Sequence, residues 1–288
     1  MTPERRRLVL RAAVTAHRIR QKQQVAPDQP CSVFDLAEAL GIEVRFADLP
    51  SAEGIYSPTK PVIIVSSLRP AGRQVFTCAH EVGHHAYGHG EQFDELVEDR
   101  ATRRRHDPRE FESDCFASAL LMPKSAVLKA LAARGWNPKT ISAEQLYVIA
   151  SWLGVGYATL VGNMDWGMNL LGKQRAQALA KVKLPDIRRA ILGCDCKDHL
   201  IVVDRDWTGR PIDGQVGDII QLPGGTMLEG TVAETLHADA KRHVVRANAP
   251  GVGRVLIPGS SWAHYMRVSR KQFSGLARFR HLEEVDDE

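Results

Sequence analysis

Residues 76–90, FTCAHEVGHHAYGHG, set His80, Glu81, His84, His85 and His89 into an otherwise apolar run. His80-Glu81-Val82-Gly83-His84 has the form H-E-x-x-H. On a helix, residues four apart stand on one face about one turn apart. Two imidazoles placed so can grip one metal ion, and Zn2+ favours nitrogen ligands at about 2.0–2.1 Å. Glu81 lies between them in sequence. It is expected on the same side of the helix, where a carboxylate can serve as general base toward a water.

A catalytic zinc takes a third protein ligand and keeps one position open. The continuation H-E-x-x-H-x-x-G-x-x-H would need Gly at 87 and His at 90. The chain has Tyr87 and Gly90 there, and Gly88 and His89 are each one place out of register. His89 is therefore not the expected ligand, and His85 and His89 are read as surface or supporting histidines. The other source is a carboxylate on a later helix. DPREFESDCFASALLMP predicts one, with Asp107 at its N-cap, Pro108 at the first helical position and Pro123 just past its end. Glu110 and Glu112 lie about 200° apart around such a helix. Glu110 shares its face with Asp114, and a ligating histidine hands its other N–H to a carboxylate of that kind. Glu110 is thus read as the third ligand, with Asp114 orienting a ligating histidine. An acidic capping box, Asp107 with Glu110, is the competing explanation for Glu110. The cofactor expected is one Zn2+ per chain, although Mn2+ or Fe2+ suits the same N/O donors.

These side chains need elements to hold them. Helices are expected over 4–24 and in CSVFDLAEALGIEV, where Ser32 caps and Gly41 stops the second. EVRFADL and KPVIIVSSLRP read as strands. The histidine-bearing helix is expected over about 72–88, with Val75, Cys78, Ala79, Val82 and Ala86 at helical spacing. Residues 91–107 are charged and loop-like. SAVLKALAARGW and SAEQLYVIASWLGVGYATLVGNM add helices, the second with helix–Gly–helix texture. YATLVGNM has no basic residue, which favours packing or docking over DNA contact. Beyond about 180, six short strands separated by turns such as LPGGT and NAPGVG predict a small β-barrel or sandwich.

The bulk numbers narrow the class. The 288 residues are 44% hydrophobic and 25% charged, as in a globular chain with a real core. A net charge of +4 is too small by itself to argue for nucleic acid. The arginines crowded into 5–20 and 103–105, and the terminal EEVDDE, are read as solvated helix faces and a polar tail. Five cysteines, an odd number, give no disulfide framework and fit a reducing, cytoplasmic setting. Cys194-Asp195-Cys196 is read as ordinary reduced thiols. The apolar stretches at the N-terminus are short and broken by Arg11, unlike a signal peptide or a membrane span.

GRQVFTCAHEVGHH followed by EFESDCFASALLMP resembles the ImmA/IrrE family of zinc metallopeptidases. The family pattern is H-E-x-x-H, then E-x-x-A-(N/D)-x-F-A running into L-L-M-P. Ser113 stands here for the usual Ala, and the likeness covers about 30–165. The expected fold is α+β: a zincin-like domain over 1–175, as the resemblance implies, whose part 124–175 is helical, then, from the strand and turn pattern alone, a small all-β domain of unknown role over 185–283. The resemblance implies that His80, His84 and Glu110 hold the metal and that Glu81 activates water. The implied activity is endopeptidase cleavage of a helix-turn-helix transcriptional repressor in a stress-response or mobile-element circuit. Ile63, Ile64 and Val65 would then form an edge strand that pairs with an extended substrate. The alternative is a non-proteolytic regulator that uses the zincin fold for protein docking or DNA contact. No membrane partner is expected.

Overall fold

The computed structural model describes residues 2–95 and 107–282. Most of the charged segment after 91, with its arginines at 103–105, and the terminal EEVDDE lie outside the described residues.

The chain forms two compact units. One comprises Met1–Lys129, Leu153–Val155 and Ser274–Arg278; the other comprises Ala130–Trp152, Gly156–Phe273 and Phe279–Glu288. Ala130–Trp152 and the helices after Gly156 group with the strands that follow them.

The first unit holds α1 (Pro3–Lys22), α2 (Val33–Ala39), β1 (Glu43–Ala47), β2 (Ala52–Ser57), β3 (Val62–Ser66), α3 (Ala71–Tyr87), β4 (Gln92–Glu95) and α4 (Pro108–Leu121). The helix starts follow local rules. Thr2 caps α1 by accepting from the Arg5 N–H, and Asp107 caps α4 by accepting from the Arg109 N–H at 2.8 Å. Proline opens both helices, where its missing N–H costs nothing. One five-stranded sheet runs in the order Gly275–Leu276, β1, β3, β2, β4.

This order corrects the expected role of Ile63, Ile64 and Val65. Strand β3 pairs in parallel with β1 and antiparallel with β2, so its ladder is taken on both sides. It has no edge to offer an extended peptide. Ile63 and Val65 are instead core residues with no exposed surface. Among the described residues, the outer side of β4 is an edge of this sheet.

Nor is the arginine-rich helix α1 simply a solvated face. Its Arg5 guanidinium lies 5.0 Å from the Phe111 ring centre. Arg11 pairs with Glu112 at 3.3 Å and stands over the Tyr87 ring. Arg20 is buried and donates to the carbonyls of Leu120 (2.7 Å), Ala26 (2.6 Å) and Gln29. Burial holds its pKa below the usual arginine value. The cation sits at the last turn of α4, where the helix dipole favours it. Arg20→Met strips the donors from three carbonyls. It is expected to cost about 2–4 kcal/mol, read as a lower urea midpoint with an unchanged slope.

Helix α5 (Lys124–Ala133) follows Pro123. The combined stretch Pro108–Ala133 is long and apolar enough to match a membrane span, but 56% of that window is buried inside the protein, as in a core helix. In the second unit, α6 (Ala143–Leu153) and α7 (Tyr157–Gly162) meet at 103°, the helix–Gly–helix expected from the sequence. Helices α8 (Lys173–Ala180) and α9 (Leu184–Leu192) come next.

Eight strands then follow: β5 (Leu200–Val202), β6 (Ile212–Gln215), β7 (Ile219–Pro223), β8 (Met227–Glu229), β9 (Ala233–Ala238), β10 (Arg242–Ala247), β11 (Gly251–Leu256) and β12 (Ala263–Ser269). They form two four-stranded sheets, β5-β7-β10-β9 and β6-β12-β11-β8. A Cβ added to Gly214 of the second sheet would lie 3.5 Å from Ile201 and 3.6 Å from Ile220 of the first, so the two faces pack as a sandwich. The fold is α+β, with a helix-rich first part and a strand-rich last part.

Candidate metal centre

Helix α3 runs between β2 and β3 on one side and α4 on another, and buries most of its second half. His80, Glu81 and His84 are each at most 1% exposed. Polar groups this deep must be partnered, so each direction they face carries information.

The histidine face meets α4. The approach is close because of Gly83, where an added Cβ would lie 3.0 Å from Phe116 Cδ1 and 3.2 Å from the Cα of Ser113. A small residue on each helix therefore sets the depth at which α4 delivers its acids. Glu110 Oε2 lies 3.2 Å from His80 Nε2, and Glu110 Oε1 lies 3.3 Å from His84 Nε2. The two Nε2 atoms are 2.9 Å apart. One donor atom from each of His80, His84 and Glu110 thus falls within 4.8 Å of the other two. This settles where Glu110 points: Asp107 caps α4 by itself, and the Glu110 carboxylate goes to the histidines.

Asp114 lies behind His80, with Oδ1 2.9 Å from Nδ1, one turn of α4 beyond Glu110. Glu112 points elsewhere, as the helical period requires. It is buried against Arg11, and burial raises its pKa against the guanidinium's pull.

The Glu81 carboxylate is buried next to β2, and its charge also acts on the His80 ring. A Cβ added to Gly54 would lie 2.5 Å from Thr77 Cγ2 and 2.9 Å from Glu81 Oε1. Thr77, Glu81 and His85, at successive turns, form the face turned to β2. Tyr56 completes the contact, with its hydroxyl 2.8 Å from His85 Nδ1. Burial lowers the pKa of His85, which favours a neutral ring that accepts from the phenol. Gly54 and Tyr56 were not singled out from the sequence; the alternation of β2, which puts both on one face, was the available signal. Gly54→Ala is expected to displace the Glu81 carboxylate while leaving the three donor atoms in place. Retained zinc binding with reduced peptide cleavage is the result that checks this.

The electrostatics favour a cation. Three carboxylates, Glu81, Glu110 and Asp114, surround two imidazoles. Burial opposes charge on His80, yet Asp114 and Glu110 outweigh it and raise its pKa to about 10. Burial likewise opposes charge on Glu110, and the two imidazoles hold it well below the usual carboxylate range. The carboxylates that raise the His80 pKa also place negative charge where a cation would sit, and ligation needs the imidazole in its deprotonated form. Two imidazoles and one carboxylate are also a donor set that Zn2+ takes in catalytic sites. The residues fit the ion.

The remaining histidine, His89, lies on His84 rather than on the surface, with the two Nδ1 atoms 3.0 Å apart. The five cysteines are all thiols.

A family model described as the IrrE N-terminal-like domain, Peptidase_M78, matches residues 37–160 and so contains every residue of this centre. None of the curated proteins matches the chain. Among solved structures, a Mycobacterium tuberculosis transcriptional regulator aligns at 18% identity over 54% of this chain, with a TM-score of 0.35. The alignment spans 46% of that regulator's own length.

Proposed function

We propose that the protein, whose residues 37–160 match the IrrE N-terminal-like domain model, Peptidase_M78, is a cytoplasmic zinc endopeptidase whose substrate is a helix-turn-helix transcriptional repressor. The observation that carries the peptidase reading is the convergence of His80, His84 and Glu110 beside the buried carboxylate of Glu81. When bound, Zn2+ supplies Lewis-acid polarisation of the scissile carbonyl and makes water acidic enough to be deprotonated near neutral pH. Each residue then has a defined task. His80, His84 and Glu110 bind, and Asp114 orients His80 through Nδ1. Glu81 takes the proton from the attacking water and later delivers it to the leaving amine. Gly54, having no Cβ, leaves room for the Glu81 carboxylate. The outer side of β4 is where an extended peptide can add a strand. The repressor, and a circuit in stress response or mobile elements, come from the motif resemblance.

The test uses the zinc-loaded protein and helix-turn-helix repressors from the same genome, starting with any encoded beside its gene. One defined cut, stopped by a chelator and restored by zinc, is the expected result. A repressor left intact while a generic peptide is cut sinks the substrate assignment alone; neither being cut sinks the peptidase reading.

A further inference from the structure

We propose that His89 is a positioning residue of the metal centre, accepting the Nδ1 proton of His84 and so fixing the tautomer in which His84 Nε2 ligates. The inference rests on the zinc reading above and adds to it the group that sets one ligand's orientation.

The argument starts from the two ends of the His84 ring. Its Nε2 lies on the donor side, 2.9 Å from His80 Nε2 and 3.3 Å from Glu110 Oε1. Its Nδ1 faces away, 3.0 Å from His89 Nδ1. A neutral imidazole carries one N–H. Ligation through Nε2 therefore requires the proton on Nδ1. Two ring nitrogens at hydrogen-bond distance need one donor and one acceptor, so His89 must present a bare Nδ1. Its own proton then sits on Nε2, which lies 4.0 Å from Glu112 Oε2, on the carboxylate that Arg11 holds at 3.3 Å.

The backbone builds this contact. Helix α3 ends at Gly88 in the left-handed conformation, at φ +63°. That conformation turns the chain back, and the His89 N–H donates to the His84 carbonyl at 3.1 Å. Backbone and side chain of His89 both dock on the same residue. The ring centres are 5.0 Å apart at 69°, an edge-on contact that limits rotation of the His84 ring. The place of His89, out of register for ligation, is thereby in register for support. The two ligating histidines are backed differently: His80 by a carboxylate, His84 by a neutral imidazole. An anionic partner raises ligand basicity more than a neutral one, so His84 depends on His89 for orientation above all.

The test compares full-length wild type, His89→Leu and His89→Asn for zinc affinity by chelator competition. It adds nitrogen-15 NMR of the zinc-loaded wild type. His89→Leu is expected to weaken zinc by about 10–100-fold, the usual cost of losing such a partner. His89→Asn, which keeps an acceptor near the same position, is expected to stay close to wild type. The spectrum is expected to show coupling across the hydrogen bond between the two Nδ1 atoms. Unchanged affinity in His89→Leu, an Asn variant as weak as the Leu variant, or no such coupling overturns the proposal while leaving the zinc reading standing. A wild type that binds no zinc overturns both.

Discussion

Glu81→Gln is expected to lower peptide cleavage by about 10²–10⁴-fold, the usual contribution of a positioned general base, with zinc content unchanged. The substitution removes the base and little else. Gln has the shape of Glu, and the space beside Gly54 and Thr77 that accepts the carboxylate accepts the amide. The donor atoms of His80, His84 and Glu110 belong to other side chains and stay in place. The measurement is kcat/KM on a peptide spanning the repressor's cut site, with metal analysis on the same preparations. A loss in kcat with zinc retained places Glu81 in the chemical step. A variant that cuts like wild type removes the base from the mechanism and the peptidase assignment with it. Salt-dependent duplex DNA binding that persists in Glu81→Gln would then make the non-proteolytic regulator the better reading.

Removing Glu110 has the second large effect. Wild type is expected to carry near one zinc per chain. Glu110→Ala is expected to lose it, with an affinity drop beyond the about 10–100-fold typical of an outer partner. Glu112→Ala is expected to keep the zinc, because its carboxylate pairs with Arg11 rather than with the two Nε2 atoms. Thermal unfolding gives an independent readout. Added zinc should raise the wild-type midpoint by mass action and leave Glu110→Ala where it was. Zinc lost from Glu112→Ala and kept in Glu110→Ala would reverse the ligand assignment.

The centre was legible in the sequence where its geometry is local. Four-residue spacing puts His80 and His84 on one face wherever a helix forms. The same period groups Glu110 with Asp114 and turns Glu112 away. Asp107 and Pro108 mark the start of α4 through capping chemistry that acts within one turn. The strands β5, β7, β10 and β11 announced themselves by β-branched residues between turns. Strand β6, IDGQ, did not, having a single β-branched residue and a glycine in four positions.

What only the tertiary structure decided depends on which distant segments meet. An edge and an interior strand have the same local pattern; β3 is interior because β1 and β2 both reach it. Glu110 could have closed a capping box, and goes to the histidines because Gly83 and Ser113 let α4 come close. Glu81 faces β2 because the sheet covers that side of α3. Arg20 reads as one more charge on a basic helix until Leu120, Ala26 and Gln29 turn their carbonyls to it. His89 looked like a register error until the turn at Gly88 laid it on His84. The residue types and spacings specified which chemistry was available; the pairing of segments far apart in the chain specified the partner each side chain received, because periodicity describes one element and contact needs two.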